Sequence, residues 1–244
     1  SIFRWGDPNF FKYPKESLYT LMKEKFQMTD DDFKAYSDDT GFDPVELPDH
    51  PVQLAPEHID ALKAIVGEQN LSTTDYDRLS VAYGATAYDL LRLRHKRIDS
   101  VPDVVLYPET SEQVEQIVAY STEHHIPLYV YGGGSSVTRG VEPTKGGISL
   151  DMRRNFNKVI SFNEIDQTIT VQAGMSGPDL EKTLQNAPEL FGAKRQYTCG
   201  HFPQSFEYSS VGGWTVTRGA GQNSTYYGTI ADIVLSQKYA TPIG

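Results

Sequence analysis

The sequence predicts an α+β fold, on three observations. Residues 101–244 open with one β-α-β pattern, a short apolar run, an amphipathic stretch and a second apolar run. Hairpin signals follow instead of the repeated βα rhythm of a doubly wound sheet. Residues 1–100 differ: they are polar, are punctuated by Pro44, Pro48, Pro51 and Pro56, and show helical periodicity where apolar residues gather. The chain therefore divides into a helical N-terminal region, 1–100, and a mixed domain, 101–244.

In the N-terminal region the acidic run Asp30–Asp32 reads as a solvated face or a helix start. "APEHIDALKAIVG" sets Ile59, Leu62, Ile65 and Val66 at helical spacing, with Gly67 suited to the C-terminal end. "AYDLLRLRHKRI" predicts a second helix whose basic last turn complements its dipole. Further on, "DVVLYP" is a strand stopped by Pro108, and "TSEQVEQIVAYSTEHH" a helix. Thr110 and Gln113 suggest a capping box there, Val114, Ile117 and Val118 share a face, and His124 and His125 close the helix. "IPLYVY" and "GGISLDM" read as strands, and "KVISFNEIDQTITVQAG" as a hairpin turning at Asn163–Asp166. "SGPDLEKTLQ" starts a helix on Ser176, with Pro178 tolerated in the first turn. "VLSQKYATPIG" predicts a strand and the turn after it.

Composition narrows function. The 244 residues are 39% hydrophobic and 22% charged, ordinary for a globular protein, and provide for one large or two modest domains. A net charge of −10 argues against a nucleic-acid surface, yet leaves room for a phosphate ligand held by backbone N–H groups. No apolar run reaches the roughly 18 residues of a membrane span. The N-terminus lacks the charged-then-apolar layout of a signal peptide. With one cysteine, Cys199, there is neither an internal disulfide nor a cysteine-based metal cluster, and no metal site is expected. Cys199 reads as a small packed residue in a reducing, intracellular setting.

The stretch "YGGGSSVTRG", Tyr131–Gly140, follows a predicted strand directly. A P-loop would end in Gly-Lys-Ser/Thr, and no lysine lies between Gly132 and Gly140. A dinucleotide fingerprint would need a third glycine where Val137 stands, and then a helix. Gly140, Pro143, Gly146 and Gly147 forbid that helix. Two readings remain: an anion nest of successive N–H groups aided by Ser135 and Ser136, or a tight turn without a ligand. A second stretch, "TCGHFPQSFEYSSVGGWTVTRGAGQ" (198–222), repeats the ingredients: Ser205, Ser209 and Ser210, paired Gly212 and Gly213, and Arg218. Val211–Thr217 would open a helix with its N-terminus toward the same ligand. Two such loops suggest an extended ligand with a diphosphate in its middle.

The succession "VPDVVLYPETSEQVEQIV", "YVYGGGSSV", "VQAGMSGPDLEKTL" and "GHFPQSFEYSSVGGW" resembles the FAD-binding domain of the p-cresol methylhydroxylase/vanillyl-alcohol oxidase superfamily, which consists of two small mixed α/β subdomains. Within it the likeness is to the alkyldihydroxyacetonephosphate synthase family. That family's T-G-H-x-P-x-S, S-x-V-G-G-W and T-R-x-x-G patterns read here from Cys199 to Ser205, Ser209 to Trp214 and Thr217 to Gly221. The likeness extends to "DRLSVAYGATAYDLLRLRHKRIDSVPDVV" and, more faintly, to "RWGDP".

The resemblance implies FAD as cofactor. Val130, Tyr131, Gly132, Gly133, Gly134, Ser135 and Ser136 would cradle its pyrophosphate. Gln204, Ser205, Phe206, Glu207, Tyr208, Ser209 and Ser210, with Thr217, Arg218, Gly219 and Ala220, would line the flavin and its ribityl-diphosphate. His201 would be the catalytic residue, moving protons near the reacting end of the flavin. The implied reaction is exchange of acyl for alkyl on dihydroxyacetone phosphate through a flavin N5 adduct, a step of ether-lipid synthesis. The alternatives are an FAD-linked 2-hydroxy-acid dehydrogenase or oxidase of the D-lactate/glycolate type, and an inactive truncated flavin-binding domain. No histidine lies in the glycine loop, so non-covalent FAD is expected. Cys199, Phe202 and Gln204 depart from the family's usual Thr and acidic residues, all beside His201. The resemblance further implies a small-molecule or lipid substrate, and is compatible with peripheral membrane association through regions outside the chain and with a homodimer. The compartment would be cytoplasmic in a bacterium and peroxisomal in a eukaryote. The family's late flavin contacts and cap domain have no counterpart in residues 1–244, so an N-terminal fragment is expected.

Overall fold

The structure, a computed structural model, describes residues 16–34 and 44–244. The faint likeness around "RWGDP" lies outside them. The elements are α1 (Glu16–Phe26), α2 (Asp30–Lys34), α3 (Pro56–Val66), β1 (Leu71–Ser72), α4 (Asp75–Ser80), α5 (Ala87–Arg94), β2 (Val104–Leu106), α6 (Ser111–Glu123), β3 (Leu128–Tyr131) and β4 (Ile148–Asp151). Then come β5 (Val159–Asn163), β6 (Thr168–Val171), α7 (Gly177–Gln185), α8 (Ala187–Phe191), α9 (Val211–Thr217), α10 (Ser224–Tyr227) and α11 (Ile230–Ile233). The fold is α+β, as expected.

A four-stranded sheet runs β1-β2-β4-β3, with β2, β4 and β3 parallel and β1 antiparallel at the edge. Because strand side chains alternate, Val104, Leu106, Ile148 and Leu150 form one face with Leu62 and Val66 of α3 and Ile117 of α6. Val105, Tyr107 and Tyr131 pack with Val81 in a separate cluster. Every residue of β2 and β4 is buried, as befits parallel strands covered on both sides. β4 enters between β2 and β3, so the β-α-β unit spans a gap that a later strand fills. A hairpin, β5-β6, forms the second sheet. Val159, Phe162, Ile169 and Val171 pack against Met175, Leu180 and Leu184, together with Trp214 of α9 and Ile230 of α11.

Local chemistry sets the boundaries. Ser176 Oγ accepts from Asp179 N–H at 3.1 Å and starts α7, with Pro178 in its first turn. The hairpin turns at Asn163, whose Oδ1 accepts from the N–H groups of Ile165 and Asp166. Thr110 Oγ1 caps α6 by accepting from Gln113 N–H, but Gln113 Oε1 returns to Glu109 N–H at 2.7 Å, not to Thr110. The expected capping box is therefore displaced by one residue on its return arm. Gln113 Nε2 also donates to the Ile65 carbonyl, which joins α6 to the end of α3.

Two expectations need correction. The helix on "AYDLLRLRHKRI" ends at Arg94 with His95 as cap, because Lys96 turns the chain at φ +53°. The strand expected in "VLSQKYATPIG" does not form: beyond α11 the segment pairs with no strand among the described residues, and an extended segment without a partner has no ladder to join.

Ile117, fully buried where α6 meets the sheet, tests this architecture. Ile117→Ala is expected to lower unfolding free energy by about 2–5 kcal/mol, measured by denaturant titration.

Candidate functional site

β3 ends at Tyr131, buried, with its hydroxyl 3.5 Å from the Tyr83 carbonyl oxygen. Val130 before it points to the opposite face of this edge strand and is 58% exposed. The chain then leaves the sheet through the three glycines, and each has a neighbour that a side chain would strike. A Cβ on Gly132 would lie 2.4 Å from Ser210 Oγ, and one on Gly133 only 1.5 Å from the Tyr208 carbonyl oxygen. Gly134 turns at φ +69°, and a Cβ there would meet the Tyr131 hydroxyl at 2.0 Å. What approaches Gly132 and Gly133 is the second glycine-rich stretch itself.

The loop's other edge is open. None of the five backbone N–H groups from Gly132 to Ser136 donates to any group among the described residues. They are half-buried, and the sequence leaves them without side chains until Ser135. Successive free N–H groups on a turned backbone form an anion nest. The Ser136 carbonyl is fixed from behind by Ala85 N–H at 2.8 Å.

The second stretch is held by its own hydrogen bonds. Tyr208 and Ser209 N–H both donate to the Ser205 carbonyl, so Ser205–Ser209 is a tight turn with Gln204 and Glu207 exposed. Ser209 Oγ donates to the Ser205 carbonyl and accepts from Trp214 Nε1 at 2.6 Å. Phe206 stacks near Trp214, and its carbonyl lies where a Cβ on Gly177 would be, at 2.5 Å.

Val211–Thr217 is helical, as the sequence suggests, but its N-terminus is occupied. Val211 and Gly212 N–H donate to the carbonyls of Met175 and Ala173, and Gly213 N–H to Ser210 Oγ. The expected anion contact by this helix end is therefore not available: its first amides serve to dock α9 on the hairpin unit. Among the amides described above in the two glycine-rich stretches, those of Gly132–Ser136 are the ones left open.

Ser210 adjoins Gly132 at one end of α9, whereas Arg218 caps the other at φ +53°. The seven-residue helix between them sets them about 12 Å apart along its axis. Arg218 lines a cavity of about 460 Å³ with Thr215, Ile230, Val234 and Tyr239. Thr217 Oγ1 donates back to the Gly213 carbonyl, Gly219 N–H donates to the Trp214 carbonyl, and Ala220 is exposed.

His201 is fully buried, edge-on to Trp214 at 5.0 Å between ring centroids, and neither ring nitrogen has a hydrogen-bond partner among the described residues. Burial holds its imidazole below the ordinary histidine range, so it is neutral near pH 7. A Cβ on Gly219 would lie 3.8 Å from its Nε2. Cys199, two residues earlier, is partly buried; burial pushes its thiol up, away from thiolate reactivity. Trp214 is core, 3% exposed. Arg153 is exposed and ion-paired to Asp151 at 2.6 Å, with its guanidinium 4.6 Å from the Tyr131 ring centre.

The sequence reading missed Tyr83, Gly84 and Ala85, which lie against the glycine loop, because nothing local marks a contact formed across some fifty positions. Gly84 in "VAYGATAYD" is the one visible signal: a Cβ there would come 2.3 Å from the Ser136 carbonyl oxygen.

Comparison with known proteins agrees with this geometry. A family model described as FAD binding domain matches residues 102–244. The chain is 31% identical over 242 residues to alkyldihydroxyacetonephosphate synthase of Dictyostelium discoideum, covering 97% of this chain and 38% of that protein. A solved alkyldihydroxyacetonephosphate synthase structure superposes with a TM-score of 0.80 at 30% identity, over 97% of this chain and 41% of that one. The mitochondrial D-lactate dehydrogenase [cytochrome] of Arabidopsis thaliana is 30% identical over 192 residues, 79% of this chain and 30% of that protein. The chain thus spans 38% of the length of the curated synthase with which it aligns almost throughout.

His201 gives a test by pH. Its folded-state pKa lies below the ordinary 6.5, so below that pH the unfolded chain takes up a proton that the folded one refuses. Stability should fall as pH drops from about 6.5 toward the folded pKa, and His201→Gln should flatten that slope in thermal unfolding. Equal slopes for both proteins would place His201 in a solvated environment instead.

Proposed function

We propose, from the premise that this chain belongs to the FAD binding domain family, that it is the cofactor-holding part of an alkyldihydroxyacetonephosphate synthase-like flavoenzyme. The observation that carries the reading is the run of five unpartnered N–H groups from Gly132 to Ser136 at the exit of a parallel strand. A diphosphate fits that donor set: it brings the acceptors and charge that the loop lacks, and the bare glycine backbone lets it approach. Ser135 and Ser136 add hydroxyl donors. The Gln204–Ser210 turn, whose Tyr208–Ser210 segment already touches Gly132 and Gly133, continues the binding surface toward the flavin. The Thr217–Ala220 end of α9 would extend that surface, and we assign Arg218 there, beside its cavity, to an anionic part of the cofactor or substrate.

FAD, when bound, supplies the covalent chemistry through its isoalloxazine N5; this chain's residues bind it, orient it and handle protons. His201, neutral and buried, offers one N–H donor and one acceptor. We assign to it the proton transfers near the reacting end of the flavin, at Nε2, the nitrogen facing Gly219. The finer reading is an acyl-for-alkyl exchange on a lipid-like phosphate ester with FAD held non-covalently. It includes peripheral membrane contact through regions outside this chain, a homodimer, and a cytoplasmic or peroxisomal compartment according to source. No described helix is long and apolar enough to cross a membrane.

Two measurements check this. Titration of the 244-residue chain with FAD should quench flavin fluorescence, and ADP should displace the flavin while riboflavin does not. Displacement by riboflavin and not by ADP would contradict diphosphate recognition. In the complete protein, anaerobic D-lactate or glycolate should leave the flavin oxidised, and alkyl exchange should be detectable; flavin bleaching would favour the 2-hydroxy-acid reading.

A further inference from the structure

The glycine loop is fixed from behind at two points, and both fixings come from residues 83–92, before the part of the chain that the family model matches. At the first, Ala85 N–H holds the Ser136 carbonyl at 2.8 Å. Gly84 lies so close that a Cβ would come 2.3 Å from the same oxygen, and Tyr131 reaches the Tyr83 carbonyl.

At the second, Glu142, downstream on the same loop, is gripped by Arg92 of α5. Arg92 Nη1 donates to Glu142 Oε1 at 2.9 Å, and Nη2 lies 2.9 Å from Oε2. The same guanidinium bonds Asp89 at 2.8 Å and Asp99 at 3.1 Å, and lies 3.9 Å from the Tyr83 ring centre. Arg139 adds a second fork to Glu142, at 2.7 and 3.0 Å. The Arg92, Asp89 and Glu142 side chains are at most 3% exposed. Burial alone would push the Glu142 carboxyl up; hydrogen bonds from Arg139 and Arg92 hold it down, at about 2. Without Arg92, Asp89 and Glu142 would be buried carboxylates short of their shared cation, an arrangement that expels one of them.

We propose that Tyr83–Ala85 and the Arg92–Glu142 pair are positioning residues of the cofactor site. They set the curvature of the 132–142 loop, and thereby the convergence of its N–H groups on a diphosphate. Ala85 and Glu142 fix the loop's middle and far end, while β3 fixes its start, so the open amides have little freedom left to lose on binding. This inference rests on the FAD reading above.

The test compares FAD affinity with stability across three variants of the 244-residue chain. Gly84→Ala pushes on the Ser136 carbonyl, Glu142→Gln keeps the shape of the pair and removes its charge, and Leu106→Ala weakens the sheet core away from the loop. Gly84→Ala and Glu142→Gln should each weaken FAD by about tenfold or more. Leu106→Ala should lower the melting temperature at least as much yet keep affinity within about twofold. If Gly84→Ala does not fold, Glu142→Gln carries the comparison. Wild-type affinity in the loop variants, or an affinity loss in Leu106→Ala that matches theirs, would overturn the inference while leaving the FAD reading standing. Failure of the wild-type chain to bind FAD would overturn both.

Discussion

The approach of Gly133 to the Tyr208 carbonyl is the constraint on which the site depends. With 1.5 Å available to a Cβ, any side chain at position 133 would force the loops apart. The contact joins a loop leaving the four-stranded sheet to a turn that belongs to the hairpin unit. Gly174 repeats the device between the same units, since a Cβ there would come 1.9 Å from the Met152 carbonyl. Backbone touching backbone leaves no slack, so the two halves are held at one separation. The proposed dinucleotide would lie across both.

Hydrogen-bond accounting then separates structural amides from functional ones. The first amides of α9 are used by Met175, Ala173 and Ser210, which dock the helix. The amides of Gly132–Ser136 are not used at all, although their surroundings are half-buried. Unused donors in such a place cost stability unless something supplies acceptors. His201 shows the same economy in a side chain: buried fully, without a ring hydrogen bond among the described residues, and kept neutral. Unpaired polar groups of this kind in a folded unit call for a physical explanation, and the proposed cofactor supplies one.

Much of this was legible in the sequence, and the limit is one of range. The caps on Thr110 and Ser176, the Asn163 turn and the α3 periodicity are local, and each stands within a residue or two of its expected place. The glycine loop was legible as bare backbone, though not the fact that Tyr208 occupies one side of it. β1 has two residues, too few to show a period, and exists only because β2 offers an edge. The strand pattern in "VLSQKYATPIG" is real as a pattern but finds no strand to pair with among the described residues. Arg92 and Glu142 are fifty positions apart, and charged residues at that separation carry no sign of each other.

The central claim is that the Gly132–Ser136 amides receive the cofactor's diphosphate. Its most direct measurement is the amide proton and nitrogen shifts of these five residues as FAD is titrated into the chain. They should move downfield together and saturate at one equivalent, as newly hydrogen-bonded amides do, and ADP should reproduce the shifts. If FAD binds while these five amides stay in place and others move, the diphosphate lies elsewhere and the claim is wrong.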